Sequence, residues 1–431
     1  MNTLNTRKTG TTGKTERHAI PSSGMSAQQV SQSLDQAAIH DVRWQDGKAF
    51  SLAYNAGLDV LEVAHDAYTR FGGANALNTG AFPSLRQMQA DVLDMAGVWL
   101  GSPADAAGYF TSGGTESILM AVKAARDQFR SNSSITTPNM VLPTSAHAAF
   151  DKAGAYFGVE LRRVAVRDDW RADVAAMAAR IDANTILIVG SSPQYPQGVV
   201  DDIPALAMMA KRNGINCHVD ACMGGVSLAY LSRIHEHVPP WNMSVDGVTS
   251  ISVDLHKFGY TSKGASVIMY ANKWLRSFQG FFTDQWLGGV YASSGMLGTK
   301  SGGPIAAAWA VMHYLGDDGY LRLTNSAHLA TVKFCTHITA HEHLTLLAQP
   351  DALLLSFVAS EPSRLNVFAV ADEMWKRGWY MDRQEPPQSL HCTVNAVHAP
   401  VMDAMLDDLD SCIALVLDTD RSGDVGAYGT L

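Results

Sequence analysis

Between residues 108 and 270 short apolar runs alternate with segments of helical length, and this alternation limits the fold more than any other feature of the chain. Thr185-Ile186-Leu187-Ile188-Val189-Gly190 is a short, nearly unbroken apolar run, which reads as a strand buried on both faces. Met140-Val141-Leu142-Pro143, residues 161–166, 216–220, 248–253 and 265–270 read as further strands. Helices are expected over 114–130, near 147–157, after 166 and over 203–212. Strands separated by helices imply an α/β protein with a doubly wound, mainly parallel sheet. Ligand sites in such sheets gather at the carboxyl ends of strands, and Asp220 and Lys257 both fall just past an expected strand.

Outside this region the signals are local. Ser26 is placed to cap a helix through Gln28–Ala37, Asp46-Gly47 reads as a turn, and a helix is expected over Leu58–Phe71. Residues 72–83 are too rich in Gly, Asn and Pro for regular structure, and Ser84 opens an amphipathic helix to about Trp99. Helices follow at 303–315 and 320–342, with an antiparallel-looking set at 352–357, 365–369 and 390–395. The chain of 431 residues therefore divides into a flexible arm (1–23), an N-terminal segment (24–90), a large domain (91–300) and a smaller C-terminal α+β domain (301–431).

Composition removes several classes of function. The net charge is −9 with no basic patch, so nucleic acid is not an expected partner. The five cysteines are irregularly spaced and include no CxxC, which suits reduced thiols in a cytoplasmic protein better than disulfides or zinc. No apolar run is long enough for a membrane span, and residues 1–23 lack the apolar core of a secretory signal.

Four segments carry chemistry. Lys257 follows His256 in Ser252-Val253-Asp254-Leu255-His256-Lys257-Phe258-Gly259-Tyr260, a setting suited to a lysine that holds pyridoxal phosphate as a Schiff base. Such a lysine must at times be neutral, so partial desolvation or a depressed pKa is expected. In Thr111-Ser112-Gly113-Gly114-Thr115-Glu116-Ser117 the glycines admit an anion to the backbone N–H groups at a helix N-terminus, and Thr115 adds a hydroxyl. The string is neither GxGxxG nor a Walker loop. Asp220 ends a buried strand, a costly position unless paired, and a pyridinium N–H is a suitable partner that would keep the ring an electron sink. His147 opens a helix after a strand, where an imidazole can stack on a cofactor ring. Each segment alone has an ordinary alternative, such as a solvated His-Lys pair or a residue capping the next turn. Their order along the chain makes the set specific.

Other candidates are weaker. His337 and His341 share a helical face near His343, but no HExxH or matching carboxylate is evident, and a solvated face is expected. Cys222, beside Asp220, reads as a small buried residue, and Met208-Met209, Trp375 and Trp379 as packing.

These strings together resemble the sphingosine-1-phosphate lyase family, within the fold-type I pyridoxal-phosphate enzymes related to the group II decarboxylases. Gly47–Tyr54 and Trp286–Ser293 add to the resemblance, which spans about residue 20 to the C-terminus. It implies a carbon–carbon lyase acting by retro-aldol cleavage on sphingosine 1-phosphate or a similar phosphorylated amino alcohol. It further implies pyridoxal 5'-phosphate as cofactor and a homodimer with shared active sites, to which segment 24–90 contributes, without the membrane anchor of animal relatives. By the same resemblance Gly114 and Thr115 hold the cofactor phosphate and Tyr291 reaches it from the partner chain. His147, Asp220, His256 and Lys257 surround the cofactor, Tyr54 and Asn75 line the substrate site, and Lys263 meets the substrate phosphate. The chain departs from the family pattern at Asn78, where the family has His, at Thr299 for Ser and at Lys300 for Arg. Asn78 donates hydrogen bonds but carries no charge, so a dianion is held less strongly. The base for the substrate hydroxyl is left open among Lys257, Tyr54 and His256. The rival reading is a pyridoxal-phosphate-dependent amino-acid α-decarboxylase, which uses the same Lys, Asp and His. Tyr54, Lys263 and 286–293 favour the lyase, while Asn78 keeps the alternative in play.

Overall fold

The computed structural model describes residues 20–132, 135–234, 237–419 and 423. Residues 1–19 of the expected arm lie outside that set. The chain separates into two units, residues 1–41 and 42–431. In the first, α1 (Ala27–Ala37) starts as expected at a capping box: Gln29 N donates to Ser26 Oγ (3.3 Å) and Ser26 N to the Gln29 side chain (2.9 Å). None of the α1 residues is buried.

The second unit opens with α2 (Leu58–Phe71) and, after the irregular Gly/Asn-rich loop, α3 (Pro83–Trp99), whose first residue is a proline preset for that position. The alternation then appears as read. β1 (Ala107–Thr111), α4 (Gly114–Asn132), β2 (Asn139–Pro143), α5 (Ala149–Phe157), β3 (Glu160–Val164) and α6 (Val174–Ala178) lead to β4 (Thr185–Ser191). α7 (Ile203–Arg212), β5 (Asn216–Asp220), α8 (Gly225–Ile234), β6 (Ser250–Asp254), β7 (Ser266–Tyr270) and α9 (Lys273–Ser277) follow.

The seven strands form one mixed sheet in the order β1-β7-β6-β5-β4-β2-β3. β2 through β6 pair in parallel, and β7 runs antiparallel to both β6 and β1. A parallel return needs a dozen or more residues, usually a helix, and the 255–265 connection is too short for that. Every residue of β2, β4, β5, β6 and β7 is buried, as a sheet covered on both faces requires. β2 turns Val141 to one core and Met140 and Leu142 to the other, and β4 divides Ile188 from Leu187 and Val189 in the same way.

A small hairpin, β8 (Phe281–Thr283) and β9 (Tyr291–Ser293), precedes α10 (Gly303–Ala340). The two helices expected at 303–315 and 320–342 follow one another across a kink at Gly316, whose φ of 58° and ψ of −176° break the helical path. The smaller C-terminal domain adds β10 (Leu344–Leu346), β11 (Leu354–Ala359), α11 (Val367–Lys376), β12 (Asp382–Gln384), β13 (Ser389–Thr393) and α12 (Met402–Thr419). Its four strands are antiparallel in the order β10-β11-β13-β12. The strand expected at 365–369 is instead the start of α11. The Asn366 side chain accepts from Phe368 N (2.9 Å) and Ala369 N (3.1 Å), and this cap decides a short apolar run that periodicity leaves ambiguous.

The small domain has its own core, and the Gly47–Tyr54 string is stitched into it. Phe50 N donates to Tyr380 O (2.9 Å), Thr393 N donates to Phe50 O (2.6 Å), and the Phe50 ring stacks on His398 (4.0 Å). Trp379 is buried as expected, but Trp375 stays partly exposed against Tyr380. The histidine face on α10 is not simply solvated. His337 Nε2 lies 2.7 Å and His341 Nε2 3.7 Å from Asp410 of α12, a carboxylate distant in sequence. Phe334 sits fully buried between Phe50 (6.0 Å) and Phe357 (5.9 Å). Phe334→Ala is expected to destabilise the protein by about 3–5 kcal/mol in chemical denaturation, the usual cost of emptying a buried aromatic site.

Candidate active site

The carboxyl ends of β4, β5 and β6 and the turn after β1 enclose a cavity of about 450 Å3. One wall is the start of α4. Gly114 there can carry no side chain, since a Cβ would come within 2.8 Å of Cys222 Sγ and 3.0 Å of an Asp254 oxygen. The backbone is thereby bared toward the cavity, at the positive end of a long helix. Glu116 fixes this turn, its two oxygens accepting from Ser112 N (2.6 Å) and Met296 N (2.7 Å).

On the facing wall, Lys257 extends from the β6–β7 connection, with its Nζ 2.9 Å from Asp254 Oδ2. Asp254 ends β6, fully buried, and its other oxygen accepts from Ser266 Oγ at 2.5 Å. Ser266 continues to Ser117 Oγ (3.2 Å) and Ser117 to Thr111 Oγ1 (2.6 Å), a buried hydroxyl chain linking β7, α4 and β1. His256 donates from Nδ1 to Ala265 O (2.7 Å), which leaves Nε2 toward Asp254 at 3.7 Å.

Lys257 is largely desolvated, one of the two expected alternatives, but its pKa is not depressed. Burial works to lower the Lys257 pKa, but the Asp254 carboxylate outweighs it and raises it above the ordinary lysine range. Burial works equally against the ionisation of Asp254, yet Lys257, His256 and Ser266 hold its pKa below the usual carboxylate value. Burial lowers the pKa of both His256 and His147, so both rings are neutral near pH 7.

Asp220 lies at the end of β5, where one oxygen accepts from Cys222 N at 3.1 Å. His218 supports it from below: the buried ring bridges Ser250 (2.9 Å) and Ser252 (3.3 Å), and desolvation pushes its pKa down to about 4. His147 precedes α5, where its Nδ1 accepts from Ala149 N (3.0 Å), so the neutral ring carries its proton on Nε2. Beside it Ser145 Oγ is buried with no hydrogen-bond partner among the described residues. The donor set fits pyridoxal phosphate. Bare helix N–H groups can take its phosphate, Lys257 its aldehyde, Asp220 its ring nitrogen, and Ser145 offers an unused hydroxyl in the same wall.

Residues 12–360 match the family described as "Pyridoxal-dependent decarboxylase conserved domain". The sphingosine-1-phosphate lyase of Arabidopsis thaliana is 36% identical over 411 residues, covering 94% of this chain and 75% of that protein. The solved structure of the Burkholderia pseudomallei K96243 sphingosine-1-phosphate lyase superposes with a TM-score of 0.89 at 31% identity, over 94% of each chain. A Lactobacillus brevis glutamate decarboxylase shares the fold at a TM-score of 0.82 and 17% identity, over 95% of this chain and 97% of that one. The chain belongs to the sphingosine-1-phosphate lyase family. It is a pyridoxal-phosphate-dependent lyase of fold type I.

Not every residue implied by the lyase pattern meets at the cavity. Gly114, Thr115, His147, Asp220, His256, Lys257 and Lys263 line it. Tyr54 adjoins it, with its hydroxyl 3.7 Å from Met223 Sδ and its ring beneath the Lys263 ammonium at 5.2 Å. Asn75, Asn78, Thr299 and Tyr291 are not part of the lining in the single chain. Asn75 bridges to Ser301, and Asn75 and Asn78 turn their side-chain carbonyls onto their own loop, accepting from Leu77 N (2.9 Å) and Gly80 N (3.1 Å). Lys300 is engaged elsewhere, with Tyr109 OH (3.0 Å) and Phe110 O (3.1 Å).

Three contributors carried no assigned role in the sequence reading. Asp254 carries the same signal as Asp220, a carboxylate closing a buried strand. Glu116 and Tyr195 had no comparable signal. Tyr195 lines the cavity and donates to Asp382 Oδ2 (2.8 Å) across to the small domain. Gly114→Ala is expected to weaken cofactor binding at least about tenfold, because the added methyl collides with Cys222 and Asp254 behind the bared turn. Titration of the apoprotein with pyridoxal phosphate, followed by absorbance, measures this.

Proposed function

We propose that this chain cleaves the Cα–Cβ bond of sphingosine 1-phosphate or a similar phosphorylated amino alcohol, giving an aldehyde and phosphoethanolamine. The observation that carries this reading is Lys263. Its ammonium lies in the same cavity as Lys257, donates to Leu52 O (2.8 Å) and covers the Tyr54 ring, which supports a cation at the substrate's phosphate end. Leu52 and Tyr54 come from segment 24–90, which supports its assignment to the active site.

When bound, pyridoxal phosphate supplies an electron sink for the pair released as the Cα–Cβ bond breaks. Asp220 would hold the proton on the ring nitrogen and so keep the sink effective. His147, neutral and fixed by Ala149 N–H, supports the ring face without adding charge. Lys257 would hold the cofactor by its aldehyde carbon, and its Nζ would take up and return a proton during turnover.

We further assign a homodimer. Phe281, Phe282, Trp286, Leu287 and Val290 are exposed on and around the β8–β9 hairpin, and an apolar patch of this kind is normally covered. Tyr291 rides on β9, outside the lining of its own chain's cavity, which supports its serving the partner's cofactor phosphate. Leu287→Asp is expected to yield monomers in analytical ultracentrifugation and to lose most activity. A fully dimeric, active variant removes this assignment. Among the described residues no helix is long and apolar enough to cross a membrane. All five cysteines are buried free thiols, which supports a cytoplasmic setting.

Product analysis with cofactor-loaded protein and sphingosine 1-phosphate tests the main reading, with Lys257→Ala as the inactive control. A long-chain aldehyde appearing together with phosphoethanolamine supports it. Carbon dioxide from an amino acid, without aldehyde, would move the chain to the decarboxylase reading, for which a 30% identical L-aspartate/L-glutamate decarboxylase of Pyrococcus horikoshii is the precedent.

A pH profile adds an independent check. Lys263 is exposed as a residue, but crowding around its ammonium, and the nearby Lys257 charge, lower its pKa to about 8. It is charged below that value and neutral above it, so KM for a phosphorylated substrate is expected to rise as pH passes 8. Lys263→Gln is expected to raise KM at pH 7 and to flatten that dependence.

A further inference from the structure

We infer that Asp254 makes the reactivity of Lys257 depend on phosphate: an anion held at the start of α4 drives the Lys257 ammonium proton onto Asp254, and this frees the amine to condense with an aldehyde. The inference rests on the cofactor reading of the cavity and adds to it the control of cofactor capture.

Several groups crowd the Asp254 carboxylate. One oxygen meets Lys257 Nζ at 2.9 Å, the other accepts from Ser266 Oγ at 2.5 Å, and His256 Nε2 stands 3.7 Å away. Both oxygens also face Gly114, at 3.0 and 3.1 Å from the point a Cβ would occupy. No side chain therefore separates Asp254 from the first turn of α4. The ammonium meets the carboxylate at Oδ2. With both oxygens facing that turn, Asp254 is taken to feel an anion there more strongly than the ammonium does. Between charges a few ångström apart in a protein interior, that difference changes a protonation equilibrium by about tenfold to a hundredfold.

Without such an anion the pair is locked. Asp254 holds Lys257 as an ammonium, which has no lone pair to attack a carbonyl. Several of the remaining groups around the pair are poor proton acceptors for it. Cys222, on the turn after β5, is held protonated by burial. His147 before α5 and His256 beside the lysine have lowered pKa values, and Lys263 on the same connection is itself a cation below pH 8. Asp220 at the end of β5 is tied to Cys222 N, and Tyr54 enters from the segment before α2.

The step balances. Of the three protons on the Lys257 ammonium, one passes to Asp254. The amine nitrogen then forms a C=N bond with the aldehyde carbon, and the carbonyl oxygen leaves as water with the other two.

The test is cofactor capture by the apoprotein, read as the absorbance change on C=N formation under saturating aldehyde, and it needs no turnover. Pyridoxal phosphate is compared with pyridoxal, which lacks the phosphate, at pH 7 and with ionic strength matched by chloride. Wild type is expected to capture pyridoxal at least about tenfold more slowly than pyridoxal phosphate, and inorganic phosphate is expected to restore much of the pyridoxal rate. In Asp254→Asn the two aldehydes should react at similar rates and inorganic phosphate should have no effect. Its capture rate should also level off at lower pH, because burial alone then lowers the Lys257 pKa. Insensitivity of wild-type pyridoxal capture to inorganic phosphate overturns the inference, and so does an undiminished phosphate preference in Asp254→Asn. If that variant does not fold, the phosphate rescue in wild type decides alone. No absorbance change with either aldehyde in wild type would remove the cofactor reading, and the inference with it.

Discussion

The site depends on a short reversal of the chain. After β6 the backbone must turn back within residues 255–265 to form β7, and one carbonyl organises that turn. Ala265 O accepts from Leu255 N (3.1 Å), His256 N (3.1 Å) and His256 Nδ1 (2.7 Å), while Tyr260 N closes on Lys257 O (2.9 Å). Tyr320 of α10 braces the same loop through Gly259 O (3.0 Å). With its backbone held at both ends, Lys257 projects from a rigid turn toward the carboxyl edge of the sheet. Catalytic positioning of this kind comes from the surrounding hydrogen bonds, because the lysine side chain itself has four rotatable bonds to restrain.

The hydroxyl chain from Thr111 through Ser117 and Ser266 to Asp254 extends that restraint across three elements. A buried carboxylate survives only when paired and fully hydrogen-bonded, and removing one partner of such a pair is more costly than the pair is stabilising. The chain therefore fixes the distance between the α4 turn and the lysine more than it adds to stability. Gly114 completes the arrangement: its missing side chain lets the carboxylate and the helix start touch.

Legibility in the sequence followed a physical boundary. Strands such as β4 were readable because a segment buried on both faces must be apolar throughout, whatever its neighbours. Lys257, Asp220 and His147 were readable because their chemistry is unusual at strand ends and helix starts. The run at 365–369 was misread because a short apolar stretch fits strand and helix alike until Asn366 caps it. The Asp410 partner of His337 lies on α12, and nothing local to either residue signals their meeting. Asp254 shows the same limit at the site. Its place beside Lys257 was visible, but the direction of its side chain toward both the lysine and Gly114 is a tertiary fact. Asn75, Asn78, Thr299 and Tyr291 rested on family resemblance alone, and the single chain does not gather them at the cavity.

The charges in the cavity explain why one carboxylate would be asked to titrate. Asp220, Asp254 and Glu116 line the cavity together with Lys257 and Lys263, so carboxylates already outnumber cations in the resting site. Condensation of Lys257 with an aldehyde removes one of the two cations, and a bound phosphate brings negative charge at the same moment. The neutral rings of His147 and His256 do not offset this. The helix start of α4 offers only fractional positive charge. A proton retained on Asp254 is the change that keeps the buried charge from growing, and its hydrogen bond from Ser266 suits either protonation state, since that hydroxyl can also turn to Val253 O at 2.9 Å.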